Sequence, residues 1–239
     1  MELFIFFILV LAVALGFFIQ VVFGFAGSLV AIPILLLVMP LQEAVALTGL
    51  LLFAFSLITV PKYWKDIDKH IVLELSVGTV LGMPIGIYWL RFANPLLLQK
   101  GLGALIIVYI IHHYWKQRKV KFFAKLGLFF GTVGGVLSGL YNTGGSILVT
   151  YITNRLHRPR AIRATLIGVL AVGNFVRIPL LYANGMFTDD LFSKALAALP
   201  FFLLALYFGH RVYPKLKANI YMHALMGLLF LSAISLILK

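Results

Sequence analysis

The sequence predicts an all-α integral membrane protein, and three observations favour this fold class. Of its 239 residues, 62% are hydrophobic and 11% are charged, whereas a soluble domain contains roughly 45–50% apolar residues. Uncharged runs recur along the whole chain and are long enough, as helices, to cross a hydrocarbon core of about 30 Å. The charged stretches between them, such as "KYWKDIDKH", have the length of loops. We therefore expect one transmembrane domain over residues 1–239.

Apolar runs bounded by charge or by Pro and Gly clusters predict ten helical segments. The segments cover residues 2–20, 24–39, 44–60, 71–90, 96–115, 126–141, 143–154, 164–182, 191–208 and 219–238. The first carries no Lys or Arg ahead of its apolar run and no small-residue cleavage site, so we expect a retained helix and not a signal peptide. The second begins at a glycine-rich break, and the third follows "MPLQE" and ends before Pro61. The fourth and fifth lie between "KDIDKH" and "HHYWK" and are separated near Arg91.

The second half has the same kinds of boundary. The sixth segment follows the basic run "KQRKVKFFAK", and the seventh runs from a second glycine-rich break to the residue before Arg155. The eighth follows "RPRAIR", the ninth follows Asp189-Asp190, and the tenth follows the basic stretch 209–218. From Thr143 to Asn154 the seventh segment measures about 18 Å as a helix, which is too short to span a membrane.

Two junctions differ from the others because they contain no charge. These are "FGFAGS", from Phe23 to Ser28, and "NTGGS", from Asn142 to Ser146. A loop in water normally carries polar and charged residues, so we expect both breaks to lie at membrane depth. Irregular backbone is tolerated there only where it is buried in protein or lines a wet cavity.

The basic residues predict an orientation in the membrane. If each break returns the chain to the side from which it entered, loops 61–70, 116–125, 155–163 and 209–218 share one side. Those loops hold fifteen of the twenty basic residues: Lys62, Lys65, Lys69, Lys116, Arg118, Lys119, Lys121, Lys125, Arg155, Arg158, Arg160, Arg163, Arg211, Lys215 and Lys217. The positive-inside rule makes this side cytoplasmic and places both termini outside. Because the basic residues lie between apolar segments, the net charge of +13 indicates contact with anionic lipid and not with nucleic acid.

A shift of 118 positions aligns the chain with itself. The shift places Gly16 on Gly134, Gly27-Ser28 on Gly145-Ser146, and Pro61 on Pro179. Each half, about 1–115 and 121–239, then has five segments and opens with a broken hairpin. Because five is odd, the second half is expected to lie inverted relative to the first, as in many secondary transporters.

The breaks predict a binding site for an anion. The helices that begin near Gly27 and Thr143 would both aim their N-termini at the membrane centre, where free N–H groups and the positive end of the helix dipole favour negative charge. Tight helix packing by small residues is the alternative explanation. The candidate binding residues are Gln20, Gly24, Phe25, Gly27, Ser28, Asn142, Thr143, Gly144, Gly145, Ser146, Asn174 and Arg177.

Arg177 is the basic residue that lies furthest inside a predicted apolar segment. An intramembrane charge is expensive and suggests a function. Arg177 either faces a central cavity or extends towards the outer interface, and the sequence leaves both open. Asn174, three residues earlier, shares its helix face. An Asn/Arg pair that serves one anion is therefore plausible.

Several site types are disfavoured. No cysteine is present, and no segment centre carries Asp or Glu, which disfavours metal cages and carboxylate proton relays. His70 and the pair His112-His113 lie near the predicted cytoplasmic interface, where we interpret them as interfacial residues. The chain has no P-loop motif. We expect no cofactor, no metal and no enzymatic activity.

The motifs resemble those of the sulfite exporter TauE/SafE family along essentially the whole chain. The segments are "GFFIQVVFGFAGSLVAIPILLL", "GTVGGVLSGLYNTGGSILV" and "RPRAIRATL". The matching positions are Gly24, Gly27, Ser28 and Pro33 in the first, Gly139, Gly144, Gly145 and Ser146 in the second, and Pro159, Arg160, Ala161, Ala164 and Thr165 in the third. Ala26 and Leu166 depart from the residues usual in the family. The resemblance implies transport of small sulfur-containing anions, such as sulfite or sulfonates, or of related organic acids, across the plasma membrane of a prokaryote.

Together these observations predict a secondary transporter that alternates access to a site between the two breaks. A gated anion channel that uses the same breaks as a filter is the alternative. The residues do not identify the anion, the direction of transport, a coupling ion or an oligomeric state, so a homo-oligomer stays open.

Overall fold

The computed structural model describes residues 2–114 and 126–213, together with residues 226–227, 229–230, 233–234 and 236–237. Every regular element within these ranges is helical, so the predicted all-α class is confirmed for them. The α-helices are α1 (Glu2–Phe23), α2 (Gly27–Leu35), α3 (Leu41–Tyr63), α4 (Lys69–Phe92), α5 (Pro95–Tyr114), α6 (Gly127–Tyr141), α7 (Gly145–Arg155), α8 (Pro159–Ala183) and α9 (Asp189–Val212). The predicted tenth segment, 219–238, lies largely outside the described residues, and its described positions are helical.

Five of the described helices are long and apolar enough to cross a membrane: α1, α3, α4, α8 and α9. The helices that follow the two breaks are much shorter, with 9 residues in α2 and 11 in α7. At 1.5 Å per residue they measure about 14 and 17 Å. The predicted half-length of the seventh segment is therefore confirmed, and the second is shorter than predicted.

Some helices extend further into charged sequence than predicted. Helix α8 begins at Pro159 instead of residue 164, because a proline fits the first turn of a helix, where its missing N–H is not needed. Helix α3 continues through Pro61 to Tyr63, and α9 continues to Val212. The prediction ended segments at charged residues, although charged side chains are common at helix ends. The assignment of Arg160 and Arg163 to a loop was therefore wrong.

Glycines on both partners allow α4 and α6 to pack closely. On each helix the glycines recur every four residues, at Gly78, Gly82 and Gly86 and at Gly131, Gly135 and Gly139. A Cβ added to Gly135 would lie 2.8 Å from Cα of Thr79, which is closer than a side chain tolerates. The backbones are thus in direct contact, as in small-xxx-small helix pairs.

The described basic loops converge on one end of the helix bundle. Nε of Arg160 lies 2.9 Å from Oδ2 of Asp66, which joins loop 155–163 to loop 61–70. The Arg163 guanidinium lies 4.1 Å from the ring centroid of Tyr213, in the turn after α9. The strongly basic loop 116–125 lies outside the described residues. That this end faces the cytoplasm stays a prediction.

The helix boundaries recur with the 118-residue shift. Helices α1 and α6 end at Phe23 and Tyr141, and α2 and α7 begin at Gly27 and Gly145. Under the shift, α1, α3 and α4 correspond to α6, α8 and α9. Helix α4 packs on α6 and, correspondingly, α9 packs on α1, while α3 packs on α8. The relative inversion of the two halves stays a prediction.

Candidate functional site

The two helix breaks contact each other. The first consists of residues 24–26, between α1 and α2, and the second of residues 142–144, between α6 and α7. A Cβ added to Gly145 would lie 2.8 Å from Cβ of Phe25. Gly24 and Asn142, which correspond under the 118-residue shift, both have a left-handed backbone, with φ of 82° and 59°. This conformation ends a helix, and Asn is one of the few residues besides Gly that adopt it readily.

A small cavity, here called the central cavity, lies between the breaks. Leu52 and Leu170 in its wall lie within one residue of the midpoints of α3 and α8. The cavity has a volume of about 20 Å³, which is room for about one water molecule. Its lining consists of Gln20, Phe25, Ala26, Leu52, Ser138, Asn142, Thr143, Gly145, Leu170, Asn174 and Arg177.

Arg177 lies in the wall of this cavity, which decides between the two positions that the sequence left open. Its exposed fraction is 2%. Nη1 donates to Oδ1 of Asn174 at 3.0 Å, and Nη2 donates to the carbonyl oxygen of Ser138 at 2.6 Å. Among the described residues, its Nε–H has no hydrogen-bond partner. Within the described ranges no carboxylate forms an ion pair with this guanidinium.

Asn142 and Thr143 supply two further polar atoms that have no partner in the part of the chain that the structure describes, Oδ1 of Asn142 and Oγ1 of Thr143. Nδ2 of Asn142 donates to the Val45 carbonyl at 2.9 Å and to Oγ1 of Thr48 at 2.7 Å, which fixes the side chain against α3. Buried polar atoms nearly always have a partner. Three unpartnered polar atoms on residues that line one cavity therefore indicate a place for a polar ligand.

Asn174 contacts α3 as well as Arg177. Its Nδ2 donates to Oγ of Ser56 at 2.9 Å and to the carbonyl of Leu52 at 3.2 Å. Asn174 and Ser56 are 118 positions apart, so this hydrogen bond joins two corresponding residues at the α3–α8 contact. The pairing of Asn174 with Arg177 that the sequence suggested is present.

Gln20 lines the cavity but is engaged by the first break itself. Its Oε1 accepts from the N–H of Gly27 at 3.0 Å, and its Nε2 donates to the Gly24 carbonyl at 3.4 Å. Gln20 thus satisfies one of the free N–H groups at the start of α2. The side chain stabilises the break in this conformation.

The remaining candidates lie outside the cavity wall: Gly24, Gly27, Ser28, Gly144 and Ser146. Gly27 packs against Gly16, because an added Cβ would lie 2.7 Å from the Gly16 carbonyl oxygen. Oγ of Ser146 donates to the carbonyl of Thr143 at 2.9 Å. In this conformation these residues shape the breaks and do not face the central cavity.

Arg163 is a buried residue that the sequence analysis assigned to a loop. Its exposed fraction is 6%, and it lies fourteen residues, or about four turns, before Arg177 on the same face of α8. Nη2 donates to the Val21 carbonyl in the last turn of α1, and Nη1 donates to the Tyr63 hydroxyl at 2.6 Å. A positive charge is favourable at a helix C-terminus. The fourteen-residue spacing from Arg177 was the signal in the sequence that Arg163 shares its helix face.

Sequence comparisons with known proteins relate the chain to one family. Residues 8–236 match the family described as sulfite exporter TauE/SafE. A protein of Cupriavidus necator named "Probable sulfite/organosulfonate exporter TauE" is 26% identical over 206 residues, which cover 83% of this chain and 80% of that protein. No solved structure matches the chain.

Proposed function

Because the chain belongs to the sulfite exporter TauE/SafE family, we propose that it exports a small sulfur-containing or organic anion, such as sulfite or a sulfonate. The family is one of membrane transporters, so the chain is a multi-pass membrane protein and not an enzyme. The substrate is proposed from the name of the relative in Cupriavidus necator together with the chemistry of the central cavity.

The observation that carries the proposal is the buried guanidinium of Arg177. Leaving a buried charge without a counter-ion is costly, and no described carboxylate pairs with it. Its free Nε–H lies on a residue that lines the cavity. A bound anion would supply the missing charge and accept this hydrogen bond.

The other two unpartnered atoms narrow the chemistry of the ligand. Oγ1 of Thr143 can donate or accept, whereas Oδ1 of Asn142 can only accept. The set therefore suits an anion that also carries a proton donor. Hydrogen sulfite, the protonated form of sulfite, has this combination, as does an aminosulfonate. With a protonated substrate, the proton moves with the anion and no carboxylate relay is needed.

Alternating access is proposed from the internal repeat. Three pairs of cavity-lining residues correspond under the 118-residue shift: Gln20 with Ser138, Phe25 with Thr143, and Leu52 with Leu170. If the halves are inverted, a rocking motion that opens one side has a counterpart that opens the other. A cavity with room for about one water would then belong to a closed state between the two.

The same proposal includes the membrane and its orientation. The chain would lie in the plasma membrane of a prokaryote with both termini outside. Its basic end would contact the anionic cytoplasmic leaflet. No coupling ion is assigned.

Efflux from proteoliposomes tests the proposal. Vesicles loaded with labelled sulfite, taurine or acetate would be diluted with and without a pH gradient. We expect saturable efflux of sulfite or a sulfonate, and counterflow driven by unlabelled substrate. Flux that is linear in driving force and shows no counterflow would favour the channel alternative. Vesicles that release no anion faster than protein-free vesicles would contradict both.

A further inference from the structure

A second, larger cavity lies beside the central cavity and is here called the side cavity. It has a volume of about 380 Å³ and is lined mainly by apolar and aromatic side chains of α5, α6 and α7, including Val108, Tyr109 and Ile147. The Ser146 and Thr150 hydroxyls in its wall already have partners. Oγ of Ser146 donates to the Thr143 carbonyl, and Oγ1 of Thr150 donates to the Ser146 carbonyl. The side cavity therefore suits an apolar ligand group.

The two cavities share a wall that is about one residue thick. Leu137 lines the side cavity and Ser138 the central cavity; Ser146 lines the side cavity and Gly145 the central cavity. Phe25 lies at the same boundary. Phe25 lines the central cavity, and its ring meets the edge of the Tyr109 ring at 6.1 Å between centroids.

Phe25 is the movable part of this wall. The other wall residues lie in helices α6 and α7, whereas Phe25 lies in the first break and its ring can change rotamer about χ1. Ligand pockets for small molecules typically measure at least about 300 Å³, a volume that the side cavity reaches and the central cavity does not. A different rotamer of Phe25 would join the two spaces.

We propose that the side cavity binds the organic tail of an organosulfonate whose sulfonate group lies against Arg177, with Phe25 as the gate between tail and head. This inference rests on the proposed function, because it assumes that the central cavity takes the anionic head. It adds the substrate class: among sulfonates, those with a longer apolar tail bind more tightly. Val108, Tyr109 and Ile147 select the tail.

The test measures the affinity of the purified protein in nanodiscs for sulfite and for methane-, ethane-, butane- and hexanesulfonate by calorimetry. Burial of each methylene is expected to tighten binding about four-fold until the side cavity is filled. The substitutions Leu105→Phe and Ile147→Phe, on α5 and α7, narrow the cavity from two sides. Each should abolish the gain with chain length, so that hexanesulfonate binds no more tightly than methanesulfonate.

Phe25→Ala tests the gate. It should raise the affinity for hexanesulfonate relative to sulfite, because the tail no longer displaces the ring. Phe53→Ala is the matched control, since Phe53 packs against Phe175 at 4.9 Å between centroids, where α3 meets α8, and lines neither cavity. This variant should keep the wild-type ratio.

The outcomes separate this inference from the proposed function. Sulfite binding without a gain along the sulfonate series would overturn the tail site and leave the anion site standing. If the gain persists in both variants, it comes from partition of the sulfonates into the lipid, and the tail site is also overturned. Absence of binding by sulfite and by every sulfonate would overturn both proposals.

Discussion

Arg177 donates a 2.6 Å hydrogen bond to the carbonyl oxygen of Ser138, in the last turn of α6. Four turns earlier on α8, Arg163 donates in the same way to Val21, in the last turn of α1. A single helix therefore binds the C-terminal ends of both helices that lead into the breaks. Each arginine also places positive charge at the negative end of a helix dipole.

Arg163→Gln is expected to destabilise the protein without weakening anion binding. The substitution removes charged hydrogen bonds to Val21 and Tyr63, and such bonds contribute about 1.5–3 kcal/mol each. We expect the free energy of unfolding to fall by about 3 kcal/mol, measured by thermal or denaturant unfolding. Arg160→Gln is the control, because the Arg160 side chain is 73% exposed and surface ion pairs contribute about 0–1 kcal/mol. Equal stability of the two variants would contradict the role given to Arg163.

Asn142→Asp is expected to weaken sulfite binding at least about ten-fold without unfolding the protein. Asp has nearly the same size as Asn and also tolerates a left-handed backbone. The introduced carboxylate would share the central cavity with Arg177 and repel a second anion. The measurement is the dissociation constant of sulfite by calorimetry. Undiminished affinity in a folded variant would show that the anion does not lie beside Asn142.

A comparison of Asn142→Gly with Asn142→Ala tests the left-handed backbone conformation at the second break. Both lose the hydrogen bonds to Val45 and Thr48. Only Ala is strained by the φ of 59°, which costs about 1–2 kcal/mol. The Gly variant should therefore unfold at the higher denaturant concentration of the two. The reverse order would contradict the left-handed conformation.

Gly82→Ala is expected to disrupt the contact between α4 and α6. An added Cβ at Gly82 would overlap the carbonyl oxygen of Thr132, and overpacking typically costs about 1–3 kcal/mol. Gly227→Ala is the control, because none of the described residues lies within 4 Å of an added Cβ there. Thermal unfolding in one detergent compares the two. An unchanged midpoint for Gly82→Ala would contradict the direct backbone contact.

The sequence predicted the helices and both breaks well, because apolar runs in lipid have few alternatives to a helix. It also named every polar residue of the central cavity except Ser138. Arg177 and Asn174 were predictable because polar residues inside an apolar segment are conspicuous. From the sequence we could predict only that the two breaks meet. The structure shows that Phe25 and Gly145 make the contact.

The missed features depend on partners that are distant in sequence. Arg163 lies among basic residues, and its bonds to the carbonyl of Val21, 142 positions earlier, and to the hydroxyl of Tyr63 distinguish it from its exposed neighbours. The five candidates outside the cavity wall, Gly24 among them, were chosen for their residue type. Their packing roles depend on which neighbour occupies the space that a glycine leaves, and composition does not contain that information.

The most direct test of the anion site is the affinity of sulfite for Arg177→Gln and Arg177→Lys, measured by calorimetry on protein that unfolds cooperatively. Loss of a charged hydrogen bond of about 1.5–3 kcal/mol predicts binding weaker by about 10- to 150-fold in Arg177→Gln. Arg177→Lys keeps the charge but loses the planar fork, and it should lie between that variant and the wild type. Arg91→Gln, at the opposite end from the basic loops, where Arg91 bonds Asn184 at 3.2 Å, should bind sulfite normally. Wild-type affinity in folded Arg177→Gln would contradict the account.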